Sequence, residues 1–216
     1  MKQYLAIDIG ASSGRHIVGR AENGKFVTEE VYRFPNGNKT QGGHLIWDTE
    51  ELLSHVKKGI AEAVKKCGRI DSFSIDTWGV DYVLMQGDKE IFPCYAYRDG
   101  RTERAIAEVH GAVPFETLYE KTGIQFQPFN TVYQLYADKL SGRLNEADGF
   151  LMLPEYLLYK LTGKRSCEYT NATSTGLVNA KTHAFDADIV SALGLPERLF
   201  EKRISQPGET VGPLKA

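Results

Sequence analysis

The run Asp8-Ile9-Gly10-Ala11-Ser12-Ser13-Gly14-Arg15 places an acid near the end of a strand and follows it with a turn of small residues. Such a turn can cradle phosphate. Gly10 and Gly14 permit backbone angles and close approaches that a side chain would block. Successive N–H groups from Ala11 onward, and the Ser12 and Ser13 hydroxyls, can donate to phosphate oxygens. Arg15 adds a planar, charge-matched fork. Asp8 can hold Mg²⁺ through water, because Mg²⁺ keeps much of its hydration shell. No Gly-x-x-x-x-Gly-Lys-Ser/Thr loop and no Gly-x-Gly-x-x-Gly fingerprint occurs, so the common nucleotide loops are absent. The same eight residues also describe an ordinary β-hairpin, and the segment alone does not decide between the two.

A second cluster is Ser74-Ile75-Asp76-Thr77-Trp78-Gly79-Val80-Asp81-Tyr82. Trp78 offers a flat apolar wall beside the bare backbone of Gly79, and Asp76 and Asp81 can accept hydrogen bonds from hydroxyls. Sugars present apolar faces and hydroxyl edges, so this combination suits a polyol. The plain alternative is a core tryptophan flanked by surface acids. Arg98 and Arg101, in Tyr95-Ala96-Tyr97-Arg98-Asp99-Gly100-Arg101-Thr102, either bind an anion or pair with nearby acids. Gly123-Ile124-Gln125-Phe126-Gln127-Pro128-Phe129-Asn130-Thr131 is an amide- and aromatic-rich loop. It either closes over a small polar ligand or packs its phenylalanines inward.

The elements that must position these residues follow from periodicity. Tyr4 to Ile9, Arg15 to Arg20 and Lys25 to Phe34 read as three antiparallel strands. Pro35 to Gly43 reads as a loop. Asp48 or Thr49 caps a helix whose apolar residues Leu52, Leu53, Val56, Ile60, Ala63 and Val64 share a face, with Gly68 at its end. Strands around Phe73-Ser74-Ile75 and over 81–86 come next. The order β-β-β-α-β predicts an α/β fold, with a mixed sheet and helices on both faces. Helices are expected over 102–121, with a break near Gly111 and Pro114, and over 131–140, 151–161 and 186–193. Residues 206–214 hold two prolines and two glycines and read as an extended segment.

Composition narrows the function classes. The 216 residues are 42% hydrophobic and 25% charged, enough for a core without disulfides or metals. A net charge of −2 gives no nucleic-acid footprint. No apolar run is long enough for a membrane span. Cys67, Cys94 and Cys167 are odd in number and widely spaced, which argues for reduced thiols and against zinc or a disulfide framework. A strand directly after Met1 leaves no room for a leader, so a cytoplasmic location is expected.

Together these segments resemble the N-terminal half of the FGGY family of carbohydrate kinases. The resemblance is carried by residues 8–15, 75–81, 97–102, 122–131 and 168–175, and it covers essentially the whole chain. The Asp76–Asp81 and Gly123–Asn130 runs are similar to the branch that acts on L-rhamnulose. Many members carry Lys and Trp just after the Pro-aromatic loop, where Thr131 and Gln134 stand here; this departure agrees with that branch.

The resemblance implies a ribonuclease-H-like, actin-type ATPase domain over 1–216, with 206–216 opening an interdomain linker. It implies ATP, Mg²⁺ and transfer to the primary hydroxyl of L-rhamnulose. Ala11, Ser12, Ser13, Gly14 and Arg15 would touch the ATP phosphates and Asp8 would orient Mg²⁺. Gly79 would bind sugar through its backbone, and Trp78, Phe129 and Asn130 would line the pocket. The catalytic Asp and the second, C-terminal ATP-binding domain are expected downstream, so no general base is expected in this chain, and the chain alone should be nearly inactive. An interdomain face left open would favour self-association. The alternatives are a sugar- or phosphate-binding module without catalysis and an FGGY kinase for another ketose.

Overall fold

Alternating apolar residues make β1 (Gln3–Ile9), which buries Leu5, Ile7 and Ile9 and turns Tyr4 and Ala6 outward. In the computed structural model, which describes residues 1–215, β1 pairs antiparallel with β2 (Ser13–Glu22). In turn, β2 pairs antiparallel with β3 (Lys25–Pro35). The opening meander is thus as expected from sequence. Its third strand is less buried than its aromatics suggest: Phe34 is buried, but Phe26 is 70% exposed.

Two short strands follow, β4 (Lys39–Gln41) and β5 (His44–Trp47), the first of them inside the stretch read as a loop. Asp48, not Thr49, caps α1 (Thr49–Cys67), accepting from the Glu51 N–H. Glu50 and Glu51 sit in the positive first turn and Lys65 and Lys66 in the last. Helix α1 buries Leu52, Val56, Gly59 and Ala63. Next, β6 (Ser72–Thr77) pairs parallel with β1, which completes a mixed sheet in the order β3-β2-β1-β6.

The chain divides into two compact units. The first holds residues 1–39 and 47–78, with the mixed sheet and α1. The second holds residues 40–46 and 79 onward. It contains β7 (Tyr82–Gln86), β8 (Lys89–Ile91) and β9 (Cys94–Tyr95), then α2 (Glu103–Ala112), α3 (Phe115–Thr122) and α4 (Thr131–Leu140). After these come β10 (Gly149–Met152), α5 (Leu153–Thr162), α6 (Tyr169–Thr173) and α7 (Ala187–Ala192).

The central sheet of the second unit runs β10-β7-β8. Strands β7 and β10 are buried on both faces except at Gln86. Tyr82, Leu84, Phe150 and Met152 pack in one core with Val109 of α2 and with Val132, Tyr133 and Leu135 of α4. Helix α5 packs on the same two strands. The single helix expected over 151–161 is therefore a strand and a helix. Gly149-Phe150-Leu151-Met152 is apolar throughout, as a doubly covered strand is, and Pro154 starts the helix. Helices α2, α3 and α4 fall where periodicity put them, with Gly123 in the left-handed conformation closing α3. Among the described residues no helix is long and apolar enough to cross a membrane.

Candidate functional site

In the first unit, the hairpin between β1 and β2 is closed by Gly10 N–H donating to Ser13 O at 2.9 Å. Asn36 clamps it from the end of β3: its N–H donates to Ser12 O at 3.0 Å and its side-chain amide to Gly10 O at 2.8 Å. The carbonyls of Gly10, Ser12 and Ser13 are thereby occupied. Among the described residues none accepts from the N–H of Ala11 or Ser12, and Ser12 is exposed. The hairpin thus offers adjacent free donors, the requirement for a backbone anion cradle.

Gly14 earns its place by close approach. A Cβ there would lie 2.2 Å from the Phe34 ring, which stacks on His55 with centroids 4.2 Å apart. Neither Gly10 nor Gly14 has a positive φ, so the backbone-angle part of the expectation is corrected and the close-approach part stands for Gly14.

Strand register sets four charges in a row across the outward face: Asp76, Asp8, Arg15 and Arg33 on β6, β1, β2 and β3. Arg15 Nε donates to Asp8 Oδ2 at 2.9 Å. Partial desolvation, and then the neighbouring Asp8, raise the pKa of Asp76. Asp8 and Asp76 supply hard oxygen donors from adjacent strands, a set that suits Mg²⁺ retaining most of its waters. No cluster of three or more His, Cys, Asp or Glu occurs among the described residues, so a fully protein-coordinated ion does not fit. In the same unit the Trp78 and Trp47 rings lie against each other, centroids 4.1 Å apart and tilted by 39°.

Behind the hairpin His16 is fully buried, its Nε2–H donating to Val56 O at 3.3 Å and its Nδ1 unpartnered. Burial is the main cause that lowers its pKa to about 4, against the Val56 bond and with a smaller push from His55.

In the second unit the residues singled out from sequence meet around Gly79 and Val80. Val80 has φ +70°, a left-handed conformation that a β-branched residue adopts only under constraint. Three side chains hold it. Thr131 Oγ1 donates to Val80 O at 2.8 Å and Gln134 Nε2 to the same oxygen at 3.2 Å. Val80 N–H donates to Ser174 Oγ at 3.2 Å. Ser174 is fixed by donating to Asn171 O, and the Asn171 amide donates to the buried Glu155 carboxyl at 2.7 Å. Desolvation raises the Glu155 pKa.

Phe129 lies edge-on to Tyr97 at 5.3 Å. Asn130 is buried, and its amide donates to Gln125 O at 2.9 Å, which closes the 125–130 loop on itself. Asp81 is buried and accepts from the Tyr97 N–H and from Gln134. The two arginines part company. Arg98 lies exposed along Tyr97. Arg101 is inside, donating to Asp138 Oδ1 at 2.8 Å and to Gln134 Oε1 at 3.1 Å, with its guanidinium 4.2 Å from the Tyr95 ring centroid. The pairing reading therefore describes Arg101. Sequence reasoning did not identify Thr131, Gln134 or Ser174 as holders of the turn; Ser174 sits within the matched 168–175 motif, the one signal that points to it.

Comparisons with known proteins identify the family. The model of the FGGY family of carbohydrate kinases, N-terminal domain, matches residues 3–216. A rhamnulokinase of Halalkalibacterium halodurans is 45% identical over all of this chain and 46% of its own length. One of Oceanobacillus iheyensis is 44% identical over 98% of this chain and 45% of its own. The chain spans about half the length of the curated relatives it matches. Among solved structures, xylulose kinase from Rhodospirillum rubrum superposes with a TM-score of 0.87 at 18% identity, over all of this chain and 45% of the neighbour. Gluconate kinase from Lactobacillus acidophilus gives 0.84 at 22%, over 99% and 44%. These neighbours share the actin-type fold expected from sequence, and by the span of its match the chain belongs to the FGGY family of carbohydrate kinases.

Proposed function

We propose that this chain is the N-terminal part of an ATP-dependent kinase that phosphorylates L-rhamnulose on its primary hydroxyl to L-rhamnulose 1-phosphate. The observation that carries the phosphate half is the pair of unpartnered Ala11 and Ser12 amides beside the Asp8–Arg15 pair. In this reading Ala11, Ser12, Ser13, Gly14 and Arg15 hold phosphate oxygens of ATP, and Asp8, with Asp76 beside it, holds Mg²⁺ through water. Bound there, Mg²⁺ neutralises phosphate charge.

Gly79, presented by the strained Val80 turn, binds the sugar through its backbone, with Phe129 and Asn130 of the same unit lining the pocket. The general base and the remaining nucleotide contacts come from the further length that the relatives possess. The choice of L-rhamnulose rests on the 40–45% identity to rhamnulokinases; the two solved neighbours named above, at 18% and 22% identity, support the fold alone.

The test is an ADP-release assay on the full-length protein with L-rhamnulose, xylulose, gluconate and glycerol. L-Rhamnulose is expected to give the highest kcat/KM, with activity lost in Asp8→Ala. Preference for any of the other three would overturn the choice of substrate.

A further inference from the structure

One side chain joins the two segments assigned to the sugar. The two hydrogens of Gln134 Nε2 serve three acceptors, Phe129 O at 3.0 Å, Asp81 Oδ1 at 3.0 Å and Val80 O at 3.2 Å, so one of them is shared. Its other amide atom, Oε1, accepts from Arg101. The amide is therefore oriented by the guanidinium, and its NH₂ has no freedom to turn away.

Arg101 is itself fixed. Asp138, with a side chain 1% exposed, accepts from Arg101, from Arg143 at 2.6 Å and from the Tyr82 hydroxyl at 2.5 Å. The Tyr95 ring lies within cation–π distance of both guanidinium groups, 4.2 and 4.7 Å away. Arg101 NH1 also donates to the Gln134 carbonyl at 3.2 Å, so both the backbone and the side chain of Gln134 are held.

We infer that Gln134 is a positioning residue for ketose selection: by bridging Val80 O and Phe129 O it sets the spacing between the Gly79–Val80 turn and the Phe129–Asn130 loop. The inference rests on the reading that these two segments face the sugar. A left-handed valine persists only where its surroundings over-determine it. Two of the three side-chain bonds that hold Val80 come from one turn of α4, Thr131 and Gln134. Removing the amide at 134 frees the turn to relax toward an extended conformation and separates it from the loop. Selection between ketoses of similar size depends on hydroxyl partners held in register, so it should fail before catalysis itself does.

The test uses Gln134→Leu, Thr131→Val and Thr131→Ser in the full-length protein. Gln134→Leu is expected to raise KM for L-rhamnulose at least tenfold, with KM for ATP within twofold of wild type. Its preference for L-rhamnulose over xylulose should fall by a similar factor. Thr131→Val should move the same way more weakly, and Thr131→Ser, which restores the hydroxyl, should recover wild-type values.

The backbone conformation of Val80, from NMR couplings or a crystal structure of each variant, is an independent readout. It should leave the left-handed region in Gln134→Leu and stay there in Thr131→Ser. If Gln134→Leu fails to fold, the two Thr131 variants decide by the same readouts. Val80 left-handed with an unchanged sugar KM in the valine and leucine variants would overturn the inference. A wild-type protein that phosphorylates no ketose would overturn the functional reading, while the conformation of Val80 in the variants would still decide whether Gln134 positions the turn.

Discussion

The two regions assigned to ligands are built in opposite ways. The hairpin of residues 10–14 is open: two free amides, an exposed Ser12 and a half-exposed Asp8–Arg15 pair, steadied from below by Asn36 and Phe34. The Val80 turn is closed: a buried left-handed residue held by three side chains from two other segments. A triphosphate presents many equivalent oxygens, and a row of backbone N–H groups suits it without fine placement. A ketose presents hydroxyls that differ only in direction, and reading them needs a backbone that does not move.

The comparison can be broken most forcefully on the closed side. Asp138→Ala would leave Arg101 and Arg143 without their shared buried carboxylate. Removing one partner of such a group costs about 3–5 kcal/mol. Urea denaturation should show that loss, and a loss below 1 kcal/mol would mean the network does not hold the turn.

Acid acts on the open side, beneath the hairpin. His16 titrates near 4 in the folded chain against 6.5 for an unburied imidazole. The unfolded chain therefore takes up a proton in a range where the folded chain refuses it. The contribution is complete above pH 6.5 and is lost as pH falls toward 4, by about 3 kcal/mol in all. Urea midpoints measured from pH 7 to pH 4.5 should fall accordingly, with the His16 ring resonances still those of a neutral imidazole at pH 5.5.

A smaller effect is expected at Gly14. Gly14→Ala drives a methyl into Phe34, and overpacking of this kind costs about 1–3 kcal/mol. Thermal denaturation should register it, with Phe34→Leu in the same chain restoring part of the loss.

Much of this was legible in the sequence where the cause is local. The opening meander, α1 with a cap narrowed to Asp48 or Thr49, and the limits of α2, α3 and α4 follow from periodicity, caps and glycine stops. Strand β10 was not legible, because Gly149–Met152 is apolar on both sides and period cannot separate a buried strand from a buried helix. The two-residue strand β9 exists through pairing with the distant β5 and leaves little local pattern. The site divides in the same way. Residues 8–15 alone show a turn of small residues after a strand, without deciding between a phosphate cradle and an ordinary hairpin. The left-handed Val80 could not be read, since nothing in Trp78-Gly79-Val80-Asp81 announces it; the bonds that impose it come from residues about 50 and 94 positions away. For Arg101 the sequence leaves anion binding and acid pairing open; it is a buried brace, and its partners Asp138, Gln134 and Tyr95 reach it only in the folded chain.

Amide hydrogen exchange on the full chain tests the contrast most directly, since both regions report in one experiment. The Val80 N–H, buried and bonded to Ser174 Oγ, should exchange more than about 100-fold slower than an unstructured amide. The Ala11 and Ser12 N–H groups should exchange within about tenfold of the unstructured rate. A fast Val80 amide beside slow Ala11 and Ser12 amides would contradict the account of an open phosphate hairpin and a closed sugar turn.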